Sequence, residues 1–161
     1  MIRSAERNDA PAIAAIWNDI IRHTAMTFTT EEKTARAISA DIYLKREKGH
    51  GFFVFLEKGD VLGFVTYAPF RNGPGYRHTM EHTIHLTDQA RGRGIGRALM
   101  ATAEGHARAT GMHSMIAGIS GENAGGVGFH AALGYREIAR LPEVGYKYKR
   151  WMDLILMQKI L

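Results

Sequence analysis

Apolar residues recur at helical spacing soon after the start of the chain: Ile13, Ile16, Trp17, Ile20 and Ile21 share one face, and Pro11 stands near the helix start. This predicts an amphipathic first helix behind a short strand, MIRSAE. A second helix is predicted to about Lys48, with Thr29 and Glu32 spaced as a capping box and Ile38, Ile42 and Leu44 facing inward. The period then changes. FFVFLE and VLGFVTYAPF are aromatic and β-branched runs around the polar KGD, which predicts a hairpin, and YRHTMEHTIHL alternates as a further strand after the loop RNGPG. Helical spacing returns from Gly94 to about Thr110. SMIAGIS reads as a strand, Asn123 to Leu133 as a short helix, Tyr135 to Arg140 as a strand and RWMDLILMQKIL as a closing strand. The order β-αα-βββ-α-β-α-ββ is of the α/β class and predicts a mixed, twisted central sheet with helices on both faces.

Composition narrows the setting. With 161 residues, 45% of them hydrophobic, and no repeat or linker, the expectation is one domain over residues 1–161. The absence of cysteine excludes disulfides, thiolate catalysis and cysteine zinc sites, and permits a reducing compartment. The start MIRSAERNDAP lacks a basic stretch followed by an apolar core, and no run approaches the roughly 18 apolar residues of a membrane span. A cytoplasmic protein without a membrane partner is expected. The net charge of +5 suits an anionic partner, either a phosphorylated cofactor or a nucleic acid.

The stretch DQARGRGIGRALM bears on that choice, because Arg91 to Arg97 holds three glycines and three arginines just before a helix begins. Unpaired N–H groups and the positive end of a helix dipole meet at such a point, and Gly92, Gly94 and Gly96 let a ligand approach the backbone. A diphosphate is the favoured ligand. The dinucleotide pattern G-x-G-x-x-G fails, since Arg97 or Leu99 stands where its third glycine belongs, and no Gly-Lys-Ser/Thr follows to make a P-loop. The pattern R-x-x-G-x-G does fit, through Arg91, Gly94 and Gly96.

With YRHTMEHTIHL, ARGRGIGRALM, ENAGGVGFHAALGY and VGYKYKRWMDLILMQ, the chain resembles the GNAT superfamily of acetyl-CoA-dependent N-acetyltransferases over nearly its whole length. Within it, the similarity is to phosphinothricin and methionine sulfoximine acetyltransferases. The resemblance implies acetyl-CoA lying against Ile84, His85 and Leu86, its diphosphate on Arg91, Gly92, Arg93, Gly94, Ile95, Gly96 and Arg97, and Asn123 beside the pantetheine and acetyl region. It also implies a catalytic glutamate at Glu81, a carboxylate in an otherwise apolar and neutral polar strand; pairing with an arginine is the structural alternative. An amine of pKa near ~8 is mostly protonated at neutral pH, so a general base is useful. A backbone N–H of the Ile84–Leu86 segment would polarise the thioester carbonyl. Many superfamily members have a tyrosine, as general acid, where this chain has His130, and the resembled subfamily tends to have histidine there. Phe129 and Leu133 read as core.

His78, Glu81, His82 and His85 invite a metal test, but alternation in a strand sends 78 and 82 one way and 81 and 85 the other, so no metal is expected. His82 is read as orienting Glu81 or the substrate, or as a structural strand residue. The resemblance points to MTFTT, FRNGPGYRHT and VGYKYKRW as the substrate pocket: Phe28 and Tyr76 over a short side chain, Arg71, Arg77 and Lys147 toward an anionic group, and Thr79 beside them. The implied acceptor is a small methionine- or glutamate-like amine, and the implied assembly is a homodimer. A protein N-terminus, lysine or polyamine acceptor stands as the alternative within enzymes. A basic module that binds coenzyme A or nucleic acid without turnover stands outside them, and no nucleic-acid partner is expected because KYKRW is short and enters an apolar strand.

Overall fold

A computed structural model describes residues 1–161. Seven strands form one sheet in the order β1-β2-β3-β4-β5-β7-β6: β1 (Ile2–Ser4), β2 (Phe52–Glu57), β3 (Asp60–Pro69), β4 (Thr79–Leu86), β5 (Ser114–Ser120), β6 (Arg136–Lys147) and β7 (Arg150–Ile160). All neighbours are antiparallel except β4 and β5, which makes the sheet mixed, as predicted.

The strand alternation sorts side chains into two cores. Phe52, Val54 and Phe64 face α1 (Ala10–His23) and α2 (Ala35–Glu47), packing with Ile13, Ile16, Ile38 and Ile42. Phe53, Val65 and Tyr67 face the other way, onto Leu99, Met100, Ala103 and Ala107 of α3 (Ile95–Ala109). The fourth helix, α4 (Ala124–Ala132), follows β5. No helix is long and apolar enough to cross a membrane.

Three local expectations change. The cap of α2 is Thr34, whose hydroxyl accepts from Ala37 N–H, rather than Thr29; Glu32 is drawn off into an ion pair with Arg22 at 2.6 Å. Leu44 is exposed, because only Ile38 and Ile42 of that helix fall on the buried stripe. The strand starting near Tyr135 runs on to Lys147, past a bulge between Leu141 and Gly145 where Glu143 takes a left-handed φ of 54° and its N–H donates to Asp153.

Extending β6 brings Lys147 inside. Only 2% exposed, its ammonium donates to the carbonyls of Ile21, Thr24 and Thr27 at 2.7, 2.7 and 2.9 Å, tying the segment after α1 to the distal edge of the sheet. Three donors meet three acceptors. Lys147→Met removes the ammonium donor from all three carbonyls, leaving Thr24 O with the Tyr148 hydroxyl at 3.2 Å, and is expected to lower unfolding free energy by about 3 kcal/mol, measured by urea denaturation.

Candidate active site

The site begins where two strands part. β4 pairs with β3 along Met80–Leu86, but with β5 only at Thr79, Met80 and Glu81, while β5 keeps its own pairing to β7 through Ser120. From His82 onward β4 therefore has no ladder partner on its β5 side, and peptide groups there are available to a ligand. The last residue of β4 paired on that side is Glu81.

Two cavities flank the opening. A groove of about 810 Å³ is lined by Ile84–Leu86, the turn Arg91–Arg97 and the start of α4. A smaller cavity of about 310 Å³ holds Glu81 and is walled by Trp17, Phe28 and Leu154. They are contiguous, with Met26, Ile84, His85, Asn123 and His130 lining both.

The groove has the features of an anion site. Gly94 caps α3 in the left-handed conformation, φ 77°, with no side chain capping the helix, so the first N–H groups of a 15-residue helix are left for a ligand. Gly92 is also left-handed, φ 70°, and a methyl group added at either glycine would meet open space, so the turn presents bare backbone. Gly96 is there for another reason: a Cβ would lie 3.2 Å from the Phe129 ring. Arg91 and Arg97 line the groove. Arg93 and Ile95 do not, because the Arg93 guanidinium pairs with Glu57 at 2.6 Å and Ile95 is buried in the core. Asn123 caps α4, its carboxamide oxygen accepting from Gly126 N–H at 2.9 Å. Phe129 packs against the core, as read above, and is also a wall of the groove.

In the smaller cavity, Glu81 has neither hydrogen bond nor ion pair, so the alternative of an arginine partner has no counterpart in the structure. Its carboxylate reaches solvent, yet the enclosing walls desolvate it and raise its pKa. An added Cβ on Gly118 would come within 3.1 Å of its Oε1, so glycine there leaves the carboxylate room. Gly145 does the same for Phe28, whose ring would lie 2.5 Å from a Cβ.

The other substrate candidates lie elsewhere. Arg71, Tyr76 and Arg77 are exposed on the loop before β4, outside both cavities; Arg71 stacks on Phe70 and the Arg77 Nε donates to His78. Thr79 sits beneath Glu81 in the β5 ladder and does not line the cavity. Lys147 has no donor left for a ligand. Sequence reasoning missed Trp17 and Lys33 as cavity walls; the helical spacing of Trp17 marked it only as apolar.

The histidines separate as strand alternation requires. His82 stacks on His130 at 5.0 Å and 13°, with Tyr135 edge-on to both, whereas His85 packs against Trp17 and Phe64 on the opposite face. No cluster of three metal-ligating side chains forms. The Nδ1 of His130 lies 2.7 Å from Gly126 O; a carbonyl only accepts, so this nitrogen carries the proton and Nε2 holds the lone pair. Burial, then the neighbouring imidazoles, pushes His82 down to about 3, and burial with the nearby Arg91 pushes His85 down to about 4.

Comparison with known proteins decides the family. The model of the acetyltransferase (GNAT) family matches residues 15–135. The chain belongs to the GNAT acetyltransferase family. The L-methionine sulfoximine/L-methionine sulfone acetyltransferase of Salmonella typhimurium is 34% identical over 98% of this chain and 92% of its own. Two crystal structures superpose closely on this GNAT fold. A ribosomal-protein-alanine N-acetyltransferase from Brucella melitensis has a TM-score of 0.96 and 36% identity, over 100% of this chain and 99% of that one. A phosphinothricin acetyltransferase from Sinorhizobium meliloti in complex with acetyl-CoA has a TM-score of 0.95 and 30% identity, over 100% and 88%.

Buried His82 and half-buried His85 are expected to make this GNAT protein acid-sensitive before its carboxylates titrate. Unfolded histidine binds a proton near pH 6.5, but the folded chain holds His82 and His85 neutral to about 3 and about 4. Between those limits the unfolded state carries more protons, so stability falls as pH drops. Melting temperature is expected to decline from about pH 6.5 downward, and His82→Phe is expected to flatten that slope in calorimetric scans at stepped pH.

Proposed function

We propose that this chain is an acetyl-CoA-dependent N-acetyltransferase acting on the α-amine of a small amino-acid-like acceptor of the methionine sulfoximine, methionine sulfone or phosphinothricin type. The observation that carries the reading is the joined pair of cavities, with an unpaired carboxylate in the smaller one and an uncapped helix start in the larger. The relatives named for such acceptors support it.

The residues fit the co-substrate. Backbone N–H groups of Gly92–Arg97, with Arg91 and Arg97, would hold the diphosphate; the unpaired edge of β4 at Ile84–Leu86 would meet the pantetheine amides; Asn123 lies at the junction of the cavities. Acetyl-CoA, when bound, supplies a thioester whose carbonyl carbon the amine attacks, with release of the thiol. Glu81 takes the proton from the acceptor's ammonium, which frees the nitrogen lone pair. Its raised pKa suits that work, because burial makes the carboxylate a stronger base than an ordinary one. A backbone N–H at the open edge of β4 steadies negative charge on the carbonyl oxygen without any side chain.

A cavity of about 310 Å³ lies at the small end of ligand sites, which favours a free amino acid over a polypeptide acceptor. The ribosomal-protein-alanine acetyltransferase is the relative that speaks for the second reading, a protein N-terminus. A thiol-release screen over amines with and without an α-carboxylate separates the two. Glu81→Gln is expected to cut turnover roughly 10²- to 10⁴-fold at neutral pH, with coenzyme A affinity little changed by calorimetry. The acidic limb of kcat/KM, expected above the ordinary carboxylate range, should vanish with it; unaltered turnover removes Glu81 from the mechanism.

The same reading takes residues 1–161 as one catalytic domain, working in the cytoplasm as a homodimer with no nucleic-acid, membrane or metal partner, in resistance to amino-acid-like toxins. Exposed apolar side chains on β6 and β7, namely Ile138, Val144, Tyr146 and Trp151, support self-association. Sedimentation is expected to give twice the chain mass, and Trp151→Glu to shift the species toward one chain mass.

A further inference from the structure

The smaller cavity has a second charged wall besides Glu81. Among its 18 lining residues Lys33 is the one lysine or arginine, and burial keeps the lining histidines His82, His85 and His130 uncharged at neutral pH. Lys33 lies in the segment between α1 and α2, where the chain has no ladder or helix to hold it. Asn18 holds it instead. This α1 residue, 8% exposed, accepts from the Lys33 N–H at 2.7 Å and donates to the Lys33 carbonyl at 2.8 Å, so the root of the side chain is fixed.

The ammonium is placed but not neutralised. Its Nζ lies 5.1 Å from the centroid of Trp17, itself a cavity wall, a contact that holds a cation without cancelling its charge. No carboxylate lies within ion-pairing reach, and nearby Glu32 is engaged by Arg22. A cavity with one unpaired anion and one unpaired cation on its walls is complementary to a zwitterion. Glu81 faces the ammonium end of such an acceptor, and Lys33 faces its anionic end.

The geometry points to Lys33 as the residue that selects the acceptor, by binding an anionic oxygen group carried by the same molecule as the reacting amine. This rests on the acetyltransferase reading above and assigns the anion-reading role that Arg71, Arg77 and Lys147 do not fill from their positions. The anionic group is either the α-carboxylate or a side-chain phosphinate. Loss of the cation weakens binding of the acceptor and leaves proton removal at Glu81 alone, so it acts on KM rather than kcat.

The test is steady-state thiol release at saturating acetyl-CoA, with phosphinothricin, methionine sulfoximine and the carboxamide of methionine sulfoximine as acceptors. For Lys33→Met, KM for the anionic acceptors is expected to rise roughly 10- to 100-fold, with kcat and the KM for acetyl-CoA within about twofold of wild type. Lys33→Arg is expected to restore most of the loss. A rise shared by phosphinothricin and methionine sulfoximine, and absent with the carboxamide, assigns the α-carboxylate; a rise confined to phosphinothricin assigns the phosphinate. An unchanged KM for both in a variant of wild-type melting temperature overturns the inference and leaves the acetyltransferase reading standing. A wild-type enzyme that releases thiol with none of the amines overturns that reading, and the inference with it.

Discussion

The parting of β4 from β5 after Glu81 is the constraint from which the rest of the site follows. Each strand keeps its outer neighbour, β3 on one side and β7 on the other, so the split removes ladder bonds only along the inner edge. What it leaves is a strand edge inside the protein rather than at its rim. An unpaired edge is normally a hazard, to be covered or charged. Here two cavities flank it, and the peptide groups of Ile84–Leu86 sit in a groove that ends at the uncapped start of α3. A long ligand with amides along its length and a diphosphate toward one end matches that sequence of features in order. On the proposed reading the fold would supply recognition largely through backbone, so that a small domain with few dedicated polar side chains would bind a large cofactor.

The chemistry of the smaller cavity depends on keeping most of its ionisable groups silent. Three histidines line it, and all three have lowered pKa values because burial disfavours the imidazolium. Had they been charged, Glu81 would face a cluster of cations, its pKa would fall, and it would be a weaker base. Neutral imidazoles instead act as packing walls: His82 stacked on His130, His85 edge-on to Trp17. The cavity is therefore electrically simple, and this simplicity lets desolvation alone set the basicity of Glu81.

Much of this was legible in the chain because it is local. The glycines at 92, 94 and 96 and the helix that follows are contiguous, and the order of elements along the chain followed from the change of hydrophobic period. Glu81 stood out as a carboxylate where strand patterning has no use for one. What was hidden depends on distant partners. Glu32 has the spacing of a capping residue but is taken by Arg22; Arg93 has the look of a phosphate ligand but is taken by Glu57; Lys147 resembles a pocket cation but is taken by three carbonyls. In each case a local rule pointed to one partner, and another residue outside that local pattern claimed the group first. The length of β6 was missed because Pro142 and the left-handed Glu143 interrupt its alternation, while pairing with β7 resumes at Gly145.

Lys147 and Lys33 show how position, rather than residue type, decides what a lysine does. Both lie near the segment that joins α1 to α2, and neither has a carboxylate partner. Lys147 enters from β6 and spends all three donors on carbonyls of residues 21 to 27, which fixes the course of that segment. With its charge satisfied by dipoles and no donor free, it has nothing to offer a ligand. Lys33 leaves the same segment a few residues later, where Asn18 has already satisfied its backbone, so its ammonium is not needed for structure and lies on an aromatic face beside an open cavity. One cation builds the wall and the other lines it. A segment so anchored can carry an unpaired charge into a binding site without collapsing onto it, because the charge that holds the chain in place is a different one.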